Sequence, residues 1–276
     1  MNTQSTTTLN TGREMPILGL GTWQLNRQTA NTIIHALQLG YPMIDTSGDY
    51  GTQPGIGEGI KESGIARSDF FLVTKVEETD NAYEATKRDL QDLQLDYADL
   101  MLIHRPPQDS VGERLWEGLM RARDEGLTKD IGVSNYSIEQ IQLLIDKTGE
   151  IPAVNQIEWS PFGHSKDMLE YCRTNGIIIQ AYSPLTRSDR LDDSMIQEIA
   201  DEHGKTPAQI IIRWNLQLGV VPIIKANSAK HQRENLDVFD FELTDEEMHI
   251  LDRLNEGYSA LGDSLAYADN LSLSFA

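Results

Sequence analysis

Short apolar runs rich in Val, Ile and Leu recur along the chain, separated by amphipathic stretches of about 10 to 15 residues. The runs predict strands at Met43–Asp45, Phe70–Lys75, Asp99–His104, Asp130–Ser134, Ala153–Glu158, Ile177–Tyr182 and Val220–Lys225, with a weaker one near Asp237–Phe239. Helices are expected over Ser137–Thr148, Asp167–Asn175, Asp193–His203 and Thr206–Leu218. The last opens with a threonine N-cap followed by proline at the first helical position. Eight strand–helix units over residues 1–276, with no long linker, predict one (β/α)8 barrel domain around a parallel sheet. An open doubly wound sheet is the alternative. No GxGxxG follows a strand, and GIGEG at 55–59 has the wrong spacing, so the barrel is preferred. Before it, TTLNTGREMP turns around Asn10-Thr11-Gly12 and reads as a hairpin placed to plug the barrel's bottom.

The charge balance narrows the partners. A net charge of −20 and the lack of a basic stripe argue against nucleic acid. No apolar run approaches the roughly 20 residues of a membrane helix, and the polar start MNTQSTTTLN does not read as a secretory signal. The single cysteine, Cys172, forms no intrachain disulfide and reads as a half-buried helix thiol. A cytoplasmic monomer is the expectation, the acidic surface favouring self-repulsion.

The strand ends carry the chemistry. Asp45, Lys75 and His104 close three successive candidate strands, and in this fold the C-terminal strand ends form the active-site rim. Each alone has an ordinary explanation: a turn Asp, a snorkelling Lys, a satisfied His. Together, with Tyr50 in the loop after Asp45, they form a site. A tyrosine titrates near 10, and a nearby Lys75 ammonium is expected to pull that value down, while Asp45 keeps Lys75 charged. His104 would orient a carbonyl oxygen while Tyr50 donates a proton to it. No side chain here supplies hydride, so a cofactor must.

These positions lie in segments whose order resembles the aldo-keto reductase superfamily, bacterial-type members included. The segments are GLGTW (19–23), GYPMIDTSGDYG (40–51), FLVTK (71–75), DLMLIH (99–104), IGVSNY (131–136), NQIEWSP (155–161), AYSPL (181–185) and K…ENLDVFDFELTDEE (225–247). The resemblance implies NADP(H)-dependent, reversible reduction of small aldehydes or ketones, with Tyr50, Asp45, Lys75 and His104 catalytic. It implies cofactor contacts from Gly21, Thr22, Trp23 and Asp45, and from Ser134, Asn135 and Gln156 to the nicotinamide carboxamide. Tyr182 would stack under that ring; Ser183, Pro184 and Leu185 would meet the pyrophosphate. Lys225, Ser228, His231, Glu234 and Asn235 would sit at the adenosine end. Trp23, Tyr50, His104 and Arg105 would face the substrate. No metal is expected, since the histidines show neither HxH nor HExxH spacing.

Several residues depart from the family pattern. In KANSAKHQREN, Ala226 and His231 stand where a serine and an arginine usually grip the 2′-phosphate, so NAD(H) use is expected beside NADP(H). Arg105 replaces a frequent tryptophan; it reads first as a solvated loop arginine facing the acidic surface, and otherwise as a rim cation that would favour a substrate carboxylate. Thr52-Gln53 and Ser160-Pro161 also differ from the usual residues. The ending from Asn255 is unlike the family's, and Tyr258, Leu261, Tyr267 and Phe275 could wall a pocket or pack on the barrel. Two other functions stay open: a cofactor-sensing regulatory protein with little turnover, and a Schiff-base aldolase with Lys75 as nucleophile.

Overall fold

A computed structural model describes residues 1–25, 28–262 and 265–267. Strands β1 (Thr6–Thr8) and β2 (Glu14–Pro16) form the expected antiparallel hairpin, turning at Gly12 with φ +82°. The barrel follows as β3 (Gly19–Gly21), α1 (Thr29–Gln38), β4 (Met43–Asp45), α2 (Gln53–Ser63), β5 (Phe71–Val76), α3 (Ala82–Leu93), β6 (Ala98–Ile103) and α4 (Glu113–Asp124). It continues with β7 (Thr128–Ser134), α5 (Ile138–Thr148), β8 (Val154–Glu158), α6 (Lys166–Thr174), β9 (Ile178–Tyr182), α7 (Ser194–His203), α8 (Pro207–Gln217), β10 (Val221–Lys225), α9 (Ala229–Leu236) and α10 (Asp245–Asp252). Strands β3 to β10 pair in parallel in chain order, and β10 closes on β3.

Two strand expectations are corrected. Residues 237–239 form no strand: they leave α9 and run across α8, where Gln209 Nε2 donates to Asp237 O (2.7 Å) and Arg213 to Val238 O (3.3 Å). Side chains of a neighbouring helix thus satisfy this backbone in place of a ladder. The eighth strand is Gly19–Gly21, so Asp45 closes the second barrel strand and not the first. Glycine-rich segments read poorly as strands, yet here interior side chains pack closely over the glycines. A Cβ at Gly19 would stand 2.7 Å from Ile223 Cδ1 and 3.2 Å from Met43 Sδ.

Strand residues alternate between two cores. Leu20, Ile44, Leu72, Met101, Ile103, Ile131, Val133, Ile157 and Ile179 pack outward under the helices. Met43, Phe71, Val73, Leu100, Leu102, Val154, Val221 and Ile223 fill the barrel interior. Leu9 and Met15 of the hairpin join that interior cluster, and Thr11 Oγ1 and Arg13 Nε bind the Asp130 carboxylate at 2.6 and 2.9 Å. The hairpin therefore closes the end where the strands begin, as expected. Advancing by two residues from the apolar interior positions gives Asp45 after Met43, Lys75 after Val73 and His104 after Leu102. The period of the pleat delivers all three to the opposite mouth.

The α8 start forms the anticipated cap, with Thr206 and Gln209 exchanging side-chain-to-backbone bonds and Pro207 in the first turn. Cys172 is a fully buried free thiol, pushed up to about 12 by burial. Among the described residues no helix is long and apolar enough to cross a membrane.

Candidate active site

Lys75 is 1% exposed, and a buried ammonium needs partners for its three protons. Its Nζ donates to Asp45 Oδ1 (2.7 Å) and to Thr46 O (2.8 Å). The third proton is left for Tyr50, whose ring centre lies 5.2 Å from Nζ. Burial works against the charge, but Asp45 and Tyr50 outweigh it, and Lys75 sits above its usual pKa. A permanently protonated amine cannot attack a carbonyl, which removes the observation that would favour the aldolase reading. The second oxygen of Asp45 accepts from Gln156 Nε2 (2.7 Å), and its backbone oxygen accepts from Thr22 N (3.0 Å) and Thr22 Oγ1 (2.9 Å).

Tyr50 ends a 3-10 turn (Gly48–Tyr50) that follows β4, and Gly51 takes the left-handed φ of +65° that lets α2 begin. The expected downward shift of its phenol is corrected. Burial raises it; the Lys75 charge opposes this, and Asp45 and Asp49 add to the rise, so the phenol lies above its ordinary range. It is fully protonated at neutral pH, which suits a donor. The Tyr50 and His104 rings meet edge to face, 5.8 Å apart.

His104 directly follows β6 and is 6% exposed. Its Nδ1 lies 2.7 Å from Glu77 Oε1, 3.5 Å from Ser47 Oγ and 3.7 Å from Asp49 Oδ1. Glu77 was missed in the sequence, although it lies two positions after Lys75 on the same parity. Burial opposes its charge, but the His104 bond and charge, Ser47 and Arg105 together hold its carboxyl below the ordinary value. The nitrogen and the two carboxylate oxygens lie within 4.8 Å of one another, a group of potential metal donors that separations of 28 and 27 residues conceal. Hydrogen bonding knits the group: Glu77 Oε1 also accepts from Ser47 Oγ at 3.1 Å. Arg105 NH1 stands 3.8 Å from Glu77 Oε2, so its charge already faces an acid.

Several of the other expected residues bond to one another and to the rim. Ser134 Oγ donates to Gln156 O (2.7 Å), Asn135 Nδ2 to His104 O (3.0 Å), and Tyr182 OH to Asn135 Oδ1 (2.7 Å). Gln156 spends both amide protons inside the barrel, on Asp45 and on Gln180 Oε1 (2.9 Å), leaving its carbonyl oxygen for a ligand. Gly21 pairs with Asp45 on one side and Lys225 on the other, which ties the catalytic end to the adenosine end. Ser228 caps α9, accepting from His231 N (3.2 Å), while His231 is exposed, Glu234 half-buried and Asn235 buried. Pro184 is buried and Leu185 half-buried.

The loop after β9 is strained. Ser183, Thr186, Arg187 and Ser188 all have φ between 47° and 75°. Non-glycine residues held there cost of order 1–3 kcal/mol each, a strain that clusters at ligand sites. Arg187, also missed in the sequence, holds its guanidinium 4.4 Å over Trp23, which is 38% exposed. Burial and the Arg187 charge lower the Lys225 amine. Neither cation has an acidic partner among the described residues. Two unneutralised cations in a strongly acidic chain, beside a group of amides and hydroxyls, fit a ligand with phosphates at one end and a carboxamide at the other.

The late segment packs on the barrel. Ser259 Oγ and Ala260 N donate to the buried Glu158 carboxylate (2.7 and 2.6 Å), and Tyr267 OH to Glu158 O (3.2 Å). Tyr267 meets Trp159 edge to face, Tyr258 carries the Arg190 guanidinium, and Leu261 is 40% exposed. Phe275 lies outside the described residues.

Residues 17–256 match the model of the Aldo/keto reductase family. The chain belongs to that family. It is 39% identical over 259 residues to a glyoxal reductase of Bacillus subtilis, covering 92% of this chain and 94% of that protein. An aldo-keto reductase of a Mycobacterium species is 40% identical over 256 residues, 90% of each chain. Among solved structures, an aldo-keto reductase of Bombyx mori in complex with NADP superposes with a TM-score of 0.88 at 30% identity, covering 93% of this chain and 94% of that one. An aldo/keto reductase from Brucella melitensis gives 0.86 at 35% identity, with coverage of 91% and 99%. Family membership and reductase relatives make the protein an oxidoreductase acting on small carbonyl compounds, within a family that uses NAD(P)H.

Proposed function

We propose that the protein reversibly reduces aldehydes and ketones to alcohols with NADPH or NADH, using Tyr50 as general acid. The observation that carries this reading is the convergence of Tyr50, the buried Lys75–Asp45 pair and His104 at one strand-end rim. Bound nicotinamide supplies the hydride. Tyr50 gives its proton to the carbonyl oxygen, and Lys75 stabilises the phenolate that forms. Two of the Lys75 protons are committed to Asp45 and Thr46, so the ammonium is already oriented when that charge develops. His104 holds the oxygen from the other side. Ser134, Asn135 and the Gln156 carbonyl would hold the carboxamide, with Tyr182 against the ring and fixed by its bond to Asn135. Lys225 and Arg187 would meet the phosphates. The glyoxal reductase relative points to small reactive carbonyls as substrates. A monomer accords with the acidic charge, and a reducing, cytoplasmic compartment with the single cysteine.

Initial rates of NADPH and NADH oxidation with a panel of aldehydes, for wild type and Tyr50→Phe, test the reading. The variant should lose about 10²–10⁴-fold in rate while cofactor affinity, read by fluorescence quenching, stays unchanged. Rates within tenfold of wild type would remove Tyr50 from the mechanism. Tight cofactor binding without turnover of any carbonyl would favour the regulatory reading.

A further inference from the structure

Two buried glutamines meet inside the barrel. Gln156 of β8 and Gln180 of β9 are partners in the parallel ladder, and they are 2% and 0% exposed. Both stand on the interior side of their strands, Gln156 two residues after Val154 and Gln180 two after Ile178, which pack with the interior cluster. Gln156 Nε2 has two acceptors, Asp45 Oδ2 at 2.7 Å and Gln180 Oε1 at 2.9 Å. A carboxylate only accepts, so Asp45 obliges Gln156 to present its nitrogen, and Gln180 must then present its oxygen. The Gln180 nitrogen is left against the Met15 and Met43 sulfurs, at 3.3 and 3.6 Å, and finds no other acceptor among the described residues. Thioether sulfur is a weak acceptor, and an amide buried against it is costly in a layer otherwise filled by apolar side chains. Stability therefore does not account for a glutamine at this position.

We propose that Gln180 is a positioning residue for cofactor recognition: by taking the second Gln156 amide proton it fixes the plane of that amide and aims the Gln156 carbonyl at the carboxamide N–H of a bound nicotinamide. This rests on the reductase reading above. A single bond to Asp45 sets where the Gln156 nitrogen lies but lets the amide turn about it. A second bond from the same nitrogen sets the plane, and with it the direction of the carbonyl. Gln156 Oε1 accepts no bond among the described residues and is not enclosed, so it is the acceptor left facing the mouth. A carboxamide offers an N–H donor beside its carbonyl, and a carbonyl oxygen already held in place selects for that donor. The Asp45 carboxylate holds Lys75 through its other oxygen, so one buried chain of bonds runs from the Lys75 ammonium to Gln180.

The test is Gln180→Met, which keeps the length of the side chain and suits the two neighbouring sulfurs while removing the acceptor. Affinities for NADP⁺, and for its analogue with an acetyl group in place of the carboxamide, are read from quenching of tryptophan fluorescence. The acetyl group keeps the carbonyl and lacks the N–H. Wild type should therefore bind NADP⁺ about tenfold more tightly than the analogue, the loss expected when a placed acceptor is left unpaired. Gln180→Met should weaken NADP⁺ and bring the two ligands within about threefold of each other. Gln180→Glu still offers a carbonyl acceptor and should restore the wild-type preference. Adenosine 2′,5′-bisphosphate, which has no nicotinamide, should bind wild type and both variants alike. A preference for NADP⁺ kept in Gln180→Met would overturn the proposal, as would an equal loss for all three ligands, the mark of a merely structural role. Equal binding of NADP⁺ and the acetyl analogue by wild type would overturn it too, even if no Gln180 variant folds. Failure of the reductase reading is separately visible, as an absence of carbonyl turnover by wild type that still binds NADP⁺.

Discussion

Asp89 lies on α3, 1% exposed, with its carboxyl against the turn that carries Tyr50: a Cβ at Gly48 would stand 2.7 Å from Asp89 Oδ1. Thr74 Oγ1 is 3.5 Å from its other oxygen. Burial pushes this carboxyl up to about 7 from an ordinary 3.8; Gln53 and Arg88 pull it down, while Asp80 and Asp92 add to the rise. Because the folded value is raised, the native state keeps a proton that the unfolded chain gives up. Stability from this group is full below about pH 4, declines between pH 4 and 7, and is gone above. A rise of about 3 pH units at 1.36 kcal/mol each sets an upper bound near 4 kcal/mol for ionising it in place, and local relaxation reduces that. Asp89→Asn keeps the shape without the charge. Urea unfolding at pH 5 and pH 8 should show the variant's advantage over wild type widening by about 2 kcal/mol at the higher pH. An advantage independent of pH, or a variant less stable than wild type at pH 8, would show that Asp89 is ionised comfortably in the fold and refute the reasoning.

Lys75→Met leaves Asp45 buried without its cation and should cost about 3–5 kcal/mol in urea unfolding, with at least a hundredfold loss of reduction; a stable, active variant would contradict the assigned pair. Arg187→Ala should weaken NADPH binding by about tenfold or more, as expected for one charge-assisted contact, in fluorescence titrations; unchanged affinity would mean the guanidinium serves only Trp23. His231→Arg should strengthen NADPH but not NADH, and a wild-type preference for NADPH above about a thousandfold would contradict the relaxed site. Arg105→Leu should raise KM for a carboxylated aldehyde and not for a neutral one, whereas equal effects would assign Arg105 wholly to Glu77.

Much of this molecule is legible before folding. The alternation of apolar runs and amphipathic stretches predicts a parallel barrel, and Asn10-Thr11-Gly12 predicts the hairpin beneath it. Even the grouping of Asp45, Lys75 and His104 is local information. Each lies two residues beyond an apolar interior residue, and the pleat turns that spacing into a shared direction. Gly19–Gly21 escaped because propensity describes an isolated segment, while the close packing over it comes from Ile223, some two hundred residues away. Residues 237–239 escaped for the converse reason, since strand-like composition gave way to partners on α8.

The electrostatics belonged to the tertiary structure alone. The sequence names Lys75 and Tyr50 as neighbours but not the depth at which they sit, and burial reverses the expected direction for the phenol. It places Glu77, Asp49 and His104 far apart in the chain, and only the barrel brings Glu77 Oε1 within 2.7 Å of Nδ1. It lists Gln156 as a ligand-holder without showing that Asp45 and Gln180 take its amide protons. The pattern of residue types is periodic and survives in one dimension. Hydrogen bonds and desolvation depend on separations of a few ångströms between distant residues, and those exist only once the barrel has closed.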